Sequence, residues 1–104
     1  METKTNDQEQ IPCSTLLKTL ADETRLSVVQ ILFEGPCYAG DLMRKLDIEQ
    51  SLLSHHLKLL RDSGIVESER DGKAVLYRLA PEVESRRKDN HLDLGCCELS
   101  FKEL

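Results

Sequence analysis

The stretch QSLLSHHLKLLR, residues 50–61, separates into an apolar and a polar face when it is drawn as an α-helix. The face that we expect to be buried is leucine-rich and consists of Leu53, Leu57 and Leu60, flanked by Leu52, His56 and Leu59. The opposite face recurs at intervals of three or four residues and consists of Ser51, Ser54, His55, Lys58 and Arg61. An exposed helix face usually carries glutamates, whereas this segment contains no acidic residue. The stretch therefore predicts an amphipathic helix with an unusual outer face.

The chemistry of this outer face suits the base edges and the backbone of a nucleic acid. Gln50 can pair bidentately with adenine, and a serine hydroxyl can serve several bases. Because no carboxylate lies between Gln50 and Arg61, the face does not repel phosphates. From the stripe alone, an ordinary solvated helix face remains the competing interpretation. We expect His56, which lies towards the apolar side, to be a hydrogen-bonded packing residue rather than a base reader or a ligand.

Three further helices are predicted before this one. The helical spacing of apolar residues places them over residues 12–21, 22–33 and 39–46, with a fourth helix over 50–62. Asp22 is a good N-cap for the second helix, and the glycine and proline at 35–36 end it. The third and fourth helices are joined by a tight connection over residues 47–49, which is typical of a helix-turn-helix.

A β-hairpin is predicted directly after the fourth helix. Residues 65–70 and 73–79 are apolar or β-branched runs, and the Asp71–Gly72 pair between them is a strong hairpin signal. The whole order predicts a fold that is mainly α with a small β-hairpin, namely a winged helix-turn-helix in which the hairpin is the wing.

The length and composition predict one domain that is paired with a second copy. The chain has 104 residues, and we divide it into a disordered arm (1–10), the winged helix-turn-helix domain (11–89) and a cysteine-containing tail (90–104). A chain this short buries a modest fraction of its surface, so a homodimer would be more stable. No apolar run is long enough to span a membrane, and the polar start does not resemble a signal peptide, so we expect a cytoplasmic protein.

The charge distribution gives only weak support to DNA binding. The net charge is −5, but residues 51–80 carry five bases against four acids, while residues 1–49 are acidic. For a binding face, the local charge matters more than the net charge of the whole chain. The predicted DNA-binding region is therefore weakly positive.

The four cysteines are the remaining chemical feature: Cys13, Cys37, Cys96 and Cys97. In the cytosol we expect reduced thiols, and the adjacent pair is poorly placed to bond to itself. The pair with a third thiolate from Cys13 or Cys37 would match the trigonal, all-sulfur preference of As(III) and Sb(III), although soft thiolates equally suit Cd(II), Zn(II) or Cu(I). Two alternatives remain open, namely apolar packing of the cysteines and a disulfide or persulfide switch.

Five segments together resemble the ArsR/SmtB family of metalloregulatory winged helix-turn-helix repressors, including arsenite-responsive members. They are LADETRL (20–26), GDL (40–42), QSLLSHHLKLLR (50–61), GIV (64–66) and the wing (70–77). The resemblance covers about residues 14–81 and implies a homodimer whose recognition helices enter successive major grooves of operator DNA. The chain departs from the family pattern at Glu49, a position that is often Ser or Thr in family members.

Combined with the polar stripe, the resemblance gives a set of expected DNA contacts. They lie on the recognition helix and at the tip of the wing: Gln50, Ser51, Ser54, His55, Lys58, Arg61, Arg70 and Lys73. The resemblance implies base contacts by Gln50, Ser51, Ser54 and His55. It implies that Arg70 and Lys73 contact phosphate or the minor groove.

The effector site is expected in the tail rather than in two positions known in the family. The third-helix cysteine motif is absent, because its positions hold Tyr38, Gly40 and Met43, and the zinc site of the last helix would have only His91. Other arsenite-sensing members carry a vicinal pair near the C-terminus, as at Cys96 and Cys97. We therefore expect a repressor that a thiolate-bound effector releases from its operator, with As(III) or Sb(III) as the effector; the alternatives are a redox or sulfur-species signal, or Cd(II) or Zn(II).

An enzyme is not expected. The sequence has no Cys-x-x-Cys motif, no glycine-rich phosphate loop and no visible set of nucleophile, base and orienting group.

Overall fold

A computed structural model describes residues 11–101 and contains five helices and five strands in that range. In chain order the elements are α1 (Cys13–Leu20), α2 (Glu23–Phe33), β1 (Cys37–Tyr38), α3 (Ala39–Leu46), α4 (Gln50–Asp62), β2 (Val66–Asp71), β3 (Ala74–Leu79), α5 (Pro81–Glu84), β4 (His91–Asp93) and β5 (Glu98–Ser100). The arm expected at residues 1–10 lies outside the described residues. Within residues 11–101, none of the helices is long and apolar enough to cross a membrane.

The helix-turn-helix has the predicted boundaries. α3 and α4 cover the predicted residues, and α3 ends at Leu46, followed by the C-cap residue Asp47, whose φ of 53° lies in the left-handed region. Asp22 caps α2 as predicted, because its Oδ2 accepts a 2.9 Å hydrogen bond from the backbone N–H of Arg25. The same hydrogen bond is the main cause that lowers the pKa of Asp22 below its ordinary value. Burial raises this pKa by less, and the positive charge of Arg25 lowers it further.

The wing is an antiparallel pair of strands whose turn lies one residue later than predicted. β2 pairs with β3 from Val66 opposite Leu79 to Asp71 opposite Ala74, so Gly72 and Lys73 are the two central residues of the turn. Gly72 has a φ of +66°, which glycine adopts without strain. The short strand β1, which the sequence did not predict, adds a third strand on the other side of β3.

The core is built from aliphatic side chains of the helices and the sheet. Leu53, Leu57 and Leu60 are at most 2% exposed, and His56 is also buried, so the predicted inner face of α4 is confirmed at these positions. The prediction is wrong for Leu52, which is 47% exposed. Successive side chains on a helix point about 100° apart, so Leu52 lies at the edge of the apolar stripe rather than on it.

The tail, whose course the sequence left open, forms a second small sheet. β4 and β5 pair as an antiparallel hairpin, with Leu92 opposite Leu99, and Leu92 is fully buried. Phe101 packs edge-to-face on Phe33 of α2 at 5.1 Å between ring centroids, and the Arg87 guanidinium lies 4.0 Å from the Phe33 centroid. The tail therefore shares the core of the preceding helices.

Candidate nucleic-acid interface and thiol cluster

The predicted outer face of α4 is exposed to solvent, while the opposite side of the helix is packed in the core. Leu52 and Asp62 on this helix are exposed, as are the six polar residues that were predicted for this face: Gln50, Ser51, Ser54, His55, Lys58 and Arg61. Since the opposite side of the helix is anchored by nearly fully buried leucines, these polar groups have a defined direction. We refer to these six residues together with Leu52 as the outer face of α4.

The basic residues of the outer face differ in their partners. The Lys58 ammonium donates to Asp62 Oδ2 at 2.9 Å, four residues later on the same helix. Both side chains are more than 60% exposed, and an exposed pair of this kind contributes little to stability. A phosphate group can therefore compete with Asp62 for Lys58.

At the tip of the wing, the structure places Arg70 and Lys73 in exposed positions, Arg70 near the end of β2 and Lys73 in the turn. Arg78 on β3 is already paired, with Glu67 at 3.3 Å and Glu69 at 2.5 Å. The wing tip thus presents two basic side chains, while the charge of the neighbouring Arg78 is neutralised.

His56 and Arg25 form a polar contact behind the outer face. The Arg25 Nη1 group lies 3.0 Å from His56 Nδ1, and Arg25 Nε donates to the Thr19 carbonyl at 2.6 Å. Because a guanidinium only donates, a hydrogen bond here has His56 Nδ1 as its acceptor. The expectation of a hydrogen-bonded packing histidine is confirmed. The role of Arg25 was not predicted from the sequence, although this residue lies within the LADETRL segment.

Three of the four cysteines meet at one end of the molecule. The sulfur atoms of Cys13, Cys96 and Cys97 all lie within 4.8 Å of one another. Cys13 and Cys96 are bonded as a disulfide although they are 83 residues apart, and Cys97 Sγ lies 3.7 Å from Cys96 Sγ. The expectation of four reduced thiols is therefore wrong for Cys13 and Cys96, because the turn of the tail hairpin lies against the start of α1. We call these three residues the thiol cluster.

Cys37 lies apart from the thiol cluster. It is on β1 opposite Tyr77, it is buried, and its thiol is free. Burial, with the negative charge of Asp41 as a smaller cause, raises the pKa of the Cys37 thiol. Of the two cysteines that the sequence left open as a third ligand, the structure brings Cys13 to the tail pair and leaves Cys37 in the core.

Comparison with known proteins agrees with this fold. The model of the arsR family of bacterial regulatory proteins matches residues 22–68. The crystal structure of the transcriptional repressor BigR from Xylella fastidiosa is 40% identical, with a TM-score of 0.64, and the match covers 71% of this chain and 76% of that one. The chain belongs to the ArsR family.

Two curated relatives of this ArsR-family chain have similar identities but different names. The biofilm growth-associated repressor of Agrobacterium fabrum is 45% identical over 71 residues, which are 68% of this chain and 61% of the relative. The arsenical resistance operon repressor of Escherichia coli K12 is 48% identical over 69 residues, which are 65% of this chain and 59% of the relative. The chain therefore spans about three fifths of the length of the curated relatives that it matches.

The family match does not extend to the thiol cluster. Residues 22–68 include the whole of α4, but Cys13 precedes that range and Cys96 and Cys97 follow it. ArsR-family membership therefore bears on the helix-turn-helix. It also agrees with the expectation of a regulatory protein rather than an enzyme, whereas the chemistry of the effector has to be argued from the cysteines themselves.

Proposed function

We propose that this ArsR-family chain is a transcriptional repressor that binds operator DNA as a homodimer in the cytoplasm. The observation that carries the proposal is the outer face of α4, which is exposed, is polar apart from Leu52 and has no acidic residue before Asp62, and whose opposite side is packed in the apolar core. An α-helix fits the major groove of B-DNA, and hydroxyl, amide and imidazole groups can bond to base edges there. Two relatives support the same function by their names, which are biofilm growth-associated repressor and arsenical resistance operon repressor.

A homodimer is part of the proposal because a single chain presents only one copy of α4. Winged helix-turn-helix dimers place two recognition helices about one duplex turn apart, on an operator with matching symmetry. Leu17 on α1 is 49% exposed, and a second chain that packed on this side of the molecule would cover it.

The test is a double substitution on the outer face, Ser54→Ala with His55→Ala. Loss of two base contacts should lower affinity for the operator about 100-fold or more, since one good base contact is worth on the order of 1–3 kcal/mol. Gln30→Ala on α2, which is exposed and far from α4 in sequence, is the matched control. Gel shift against the upstream DNA and size-exclusion chromatography should show a dimer that no longer binds specifically. An unchanged specific affinity would count decisively against the proposal.

The effector that we propose is As(III) or Sb(III), bound by the thiol cluster. Three sulfur donors that converge within 4.8 Å suit a trigonal metalloid ion. Among the described residues the cluster has three members, one fewer than the four protein ligands of a structural zinc site. Binding first requires two electrons and two protons from a dithiol reductant to open the Cys13–Cys96 disulfide. Arsenous acid and three thiols then give three As–S bonds and three waters.

The disulfide favours a second candidate, a repressor that responds to thiol oxidation or to sulfur species. Oxidation of Cys13 and Cys96 by a peroxide would form the observed bond, with two electrons and two protons passing to the oxidant. In either case the modified form would have a lower affinity for DNA, by linkage between the two sites.

The two signals are separated by one set of variants. The fully reduced chain on its own upstream DNA is treated with arsenite, Cd(II), Zn(II), hydrogen peroxide or polysulfide. Arsenite should release the wild type and Cys37→Ser but neither Cys13→Ser nor the Cys96→Ser, Cys97→Ser double variant. Release by peroxide or polysulfide but not by arsenite would favour the second candidate. Arsenite release that survives in the double variant would exclude the tail pair as the sensor.

A further inference from the structure

Thr19, near the end of α1, makes hydrogen bonds to two other helices. Its backbone carbonyl accepts from Arg25 Nε of α2 at 2.6 Å, and Arg25 in turn contacts His56 in the middle of α4. Its hydroxyl oxygen lies 3.1 Å from Ser63 Oγ, and Ser63 is the C-cap residue of α4. α1 is therefore attached to the DNA-reading helix at two points, and Thr19 takes part in both.

The hydroxyl contact has two alternative arrangements of protons. Thr19 Oγ1 lies 3.0 Å from the Thr15 carbonyl, and Ser63 Oγ lies 2.9 Å from the Leu59 carbonyl. These two bonds and the Thr19–Ser63 contact make three contacts, but two hydroxyls supply only two protons. Either Thr19 donates to its own helix and accepts from Ser63, or it donates to Ser63, which then donates to Leu59. The Thr19–Ser63 hydrogen bond can therefore run in either direction.

The other end of α1 carries a member of the thiol cluster. Cys13 is the first residue of this eight-residue helix, and Leu16 and Leu20 fix the helix to the core. A short helix held by its own backbone hydrogen bonds is stiff, so a tilt of α1 about its buried leucines that displaces Cys13 also displaces Thr19, six residues later. Bonding of Cys13 to Cys96, or its release, changes what holds the start of α1.

We infer that Thr19 is a positioning residue that couples the state of Cys13 to the orientation of α4. The coupling passes through the Thr19–Ser63 hydroxyl contact, and His56 in the middle of α4 reports the resulting change in the orientation of that helix. The inference rests on the proposed function and deepens it, since it names how the thiol cluster acts on the DNA-reading helix. Two sites are coupled when one two-state element is biased by both, and in this proposal the Thr19–Ser63 contact is that element.

Thr19→Val is the most direct substitution, because it removes the hydroxyl while it keeps the side-chain shape and the backbone carbonyl. Ser63→Ala removes the same contact from the α4 side. Thr15→Val, on an exposed residue one turn earlier on α1, is the matched control, because no hydrogen bond of the Thr15 side chain to α4 is found among the described residues. The three variants are compared with the wild type in the full chain.

The measurement is the ratio of operator affinities between the fully reduced protein and the same protein after oxidation with diamide or addition of sodium arsenite. Coupling between two sites of one protein is typically about 5- to 150-fold. We expect a ratio in that range for the wild type and Thr15→Val, and a ratio within about twofold of one for Thr19→Val and Ser63→Ala. Thiol counting and arsenite stoichiometry should be unchanged in all four proteins, which shows that the cluster itself still reacts.

A second readout does not depend on DNA. The ¹⁵N shifts of His56 should change between the reduced and oxidised wild type and should not change in Thr19→Val. A wild-type affinity ratio retained in Thr19→Val, or a wild-type His56 signal that is insensitive to the state of the cysteines, overturns the coupling. If the wild type shows the His56 change but no specific DNA binding, the proposed function fails while the coupling from Cys13 to α4 stands.

Discussion

The phenol hydroxyl of Tyr38 donates a 2.6 Å hydrogen bond to Asp71 Oδ2. Tyr38 lies in β1 and is also the N-cap residue of α3, whereas Asp71 is the last residue of β2, next to the turn of the wing. One side-chain contact therefore joins the wing tip to the start of the helix-turn-helix. If both surfaces bind DNA, this bond sets the position of the wing relative to the reading helices.

The first prediction concerns the ionisation of Tyr38. The hydrogen bond to Asp71 and the charge of Asp71 raise the pKa of Tyr38. The neutral phenol is thus favoured by folding, so this contribution to stability is present below the ordinary pKa of tyrosine and is lost as the pH rises through the folded-state value. Asp71→Asn should lower the pKa of Tyr38, which the phenolate absorbance at 295 nm measures, with Tyr38→Phe to identify the signal. Superimposable titrations of the wild type and Asp71→Asn would contradict this.

The second prediction concerns the cap of α2. Asp22→Ala removes the acceptor for the Arg25 backbone N–H and should lower the free energy of unfolding by about 1 kcal/mol at neutral pH. Since the pKa of Asp22 is lowered by folding, the stabilisation is present above the unfolded-state pKa and is lost as the pH falls through the folded-state value. Urea unfolding at pH 7 should show the difference, and at pH 3 the difference should shrink. Asp62→Ala, at an exposed acid that does not cap α2, should change stability less at both values of pH.

The elements that were predicted well are those with a repeated pattern and a local stop signal. α4 has apolar residues at helical intervals over 13 residues and ends before Ser63 and Gly64, so its boundaries follow from local chemistry. The outer face of α4 was predicted for the same reason, with the exception of Leu52. A residue at the edge of a stripe is buried or exposed according to its tertiary neighbours, which periodicity does not describe.

The features that were missed depend on contacts between distant segments. β1 is two residues long, too short for alternation to reveal, and it exists because β3 offers it a partner. The thiol cluster requires Cys13 and Cys96, 83 residues apart, to meet across the core. From the sequence, Cys13 and Cys37 were equal candidates for the third ligand. Only the position of the tail hairpin distinguishes between them.

The third prediction follows from the difference between Cys37 and the thiol cluster. After reduction of the native protein, iodoacetamide at pH 7.5 should label Cys13, Cys96 and Cys97 before Cys37 (an assay pH chosen about one unit below the ordinary thiol pKa). Cys37 is only 8% exposed, and burial raises its pKa, so both access and the thiolate fraction are low. Peptide mass spectrometry over time gives the order of labelling, and labelling in urea is the control for intrinsic reactivity. Equal rates for Cys37 and Cys97 in the native protein would show that Cys37 is accessible.

The last prediction assigns a base contact to Leu52, an apolar side chain that is 47% exposed on the otherwise polar outer face of α4. It lies in the first turn of the helix, where recognition helices contact base edges, and an apolar group there can pack on the methyl group of thymine. Replacement of one operator thymine by deoxyuridine should therefore weaken wild-type binding about fourfold, as expected for one methyl group of roughly 0.8 kcal/mol. Leu52→Ala should bind the two operators equally, because the contact is already lost. The double-mutant cycle separates this contact from a general loss of affinity. If every operator thymine could be replaced without weakening wild-type binding, the assignment would be contradicted, because the exposed leucine would then face solvent rather than a base.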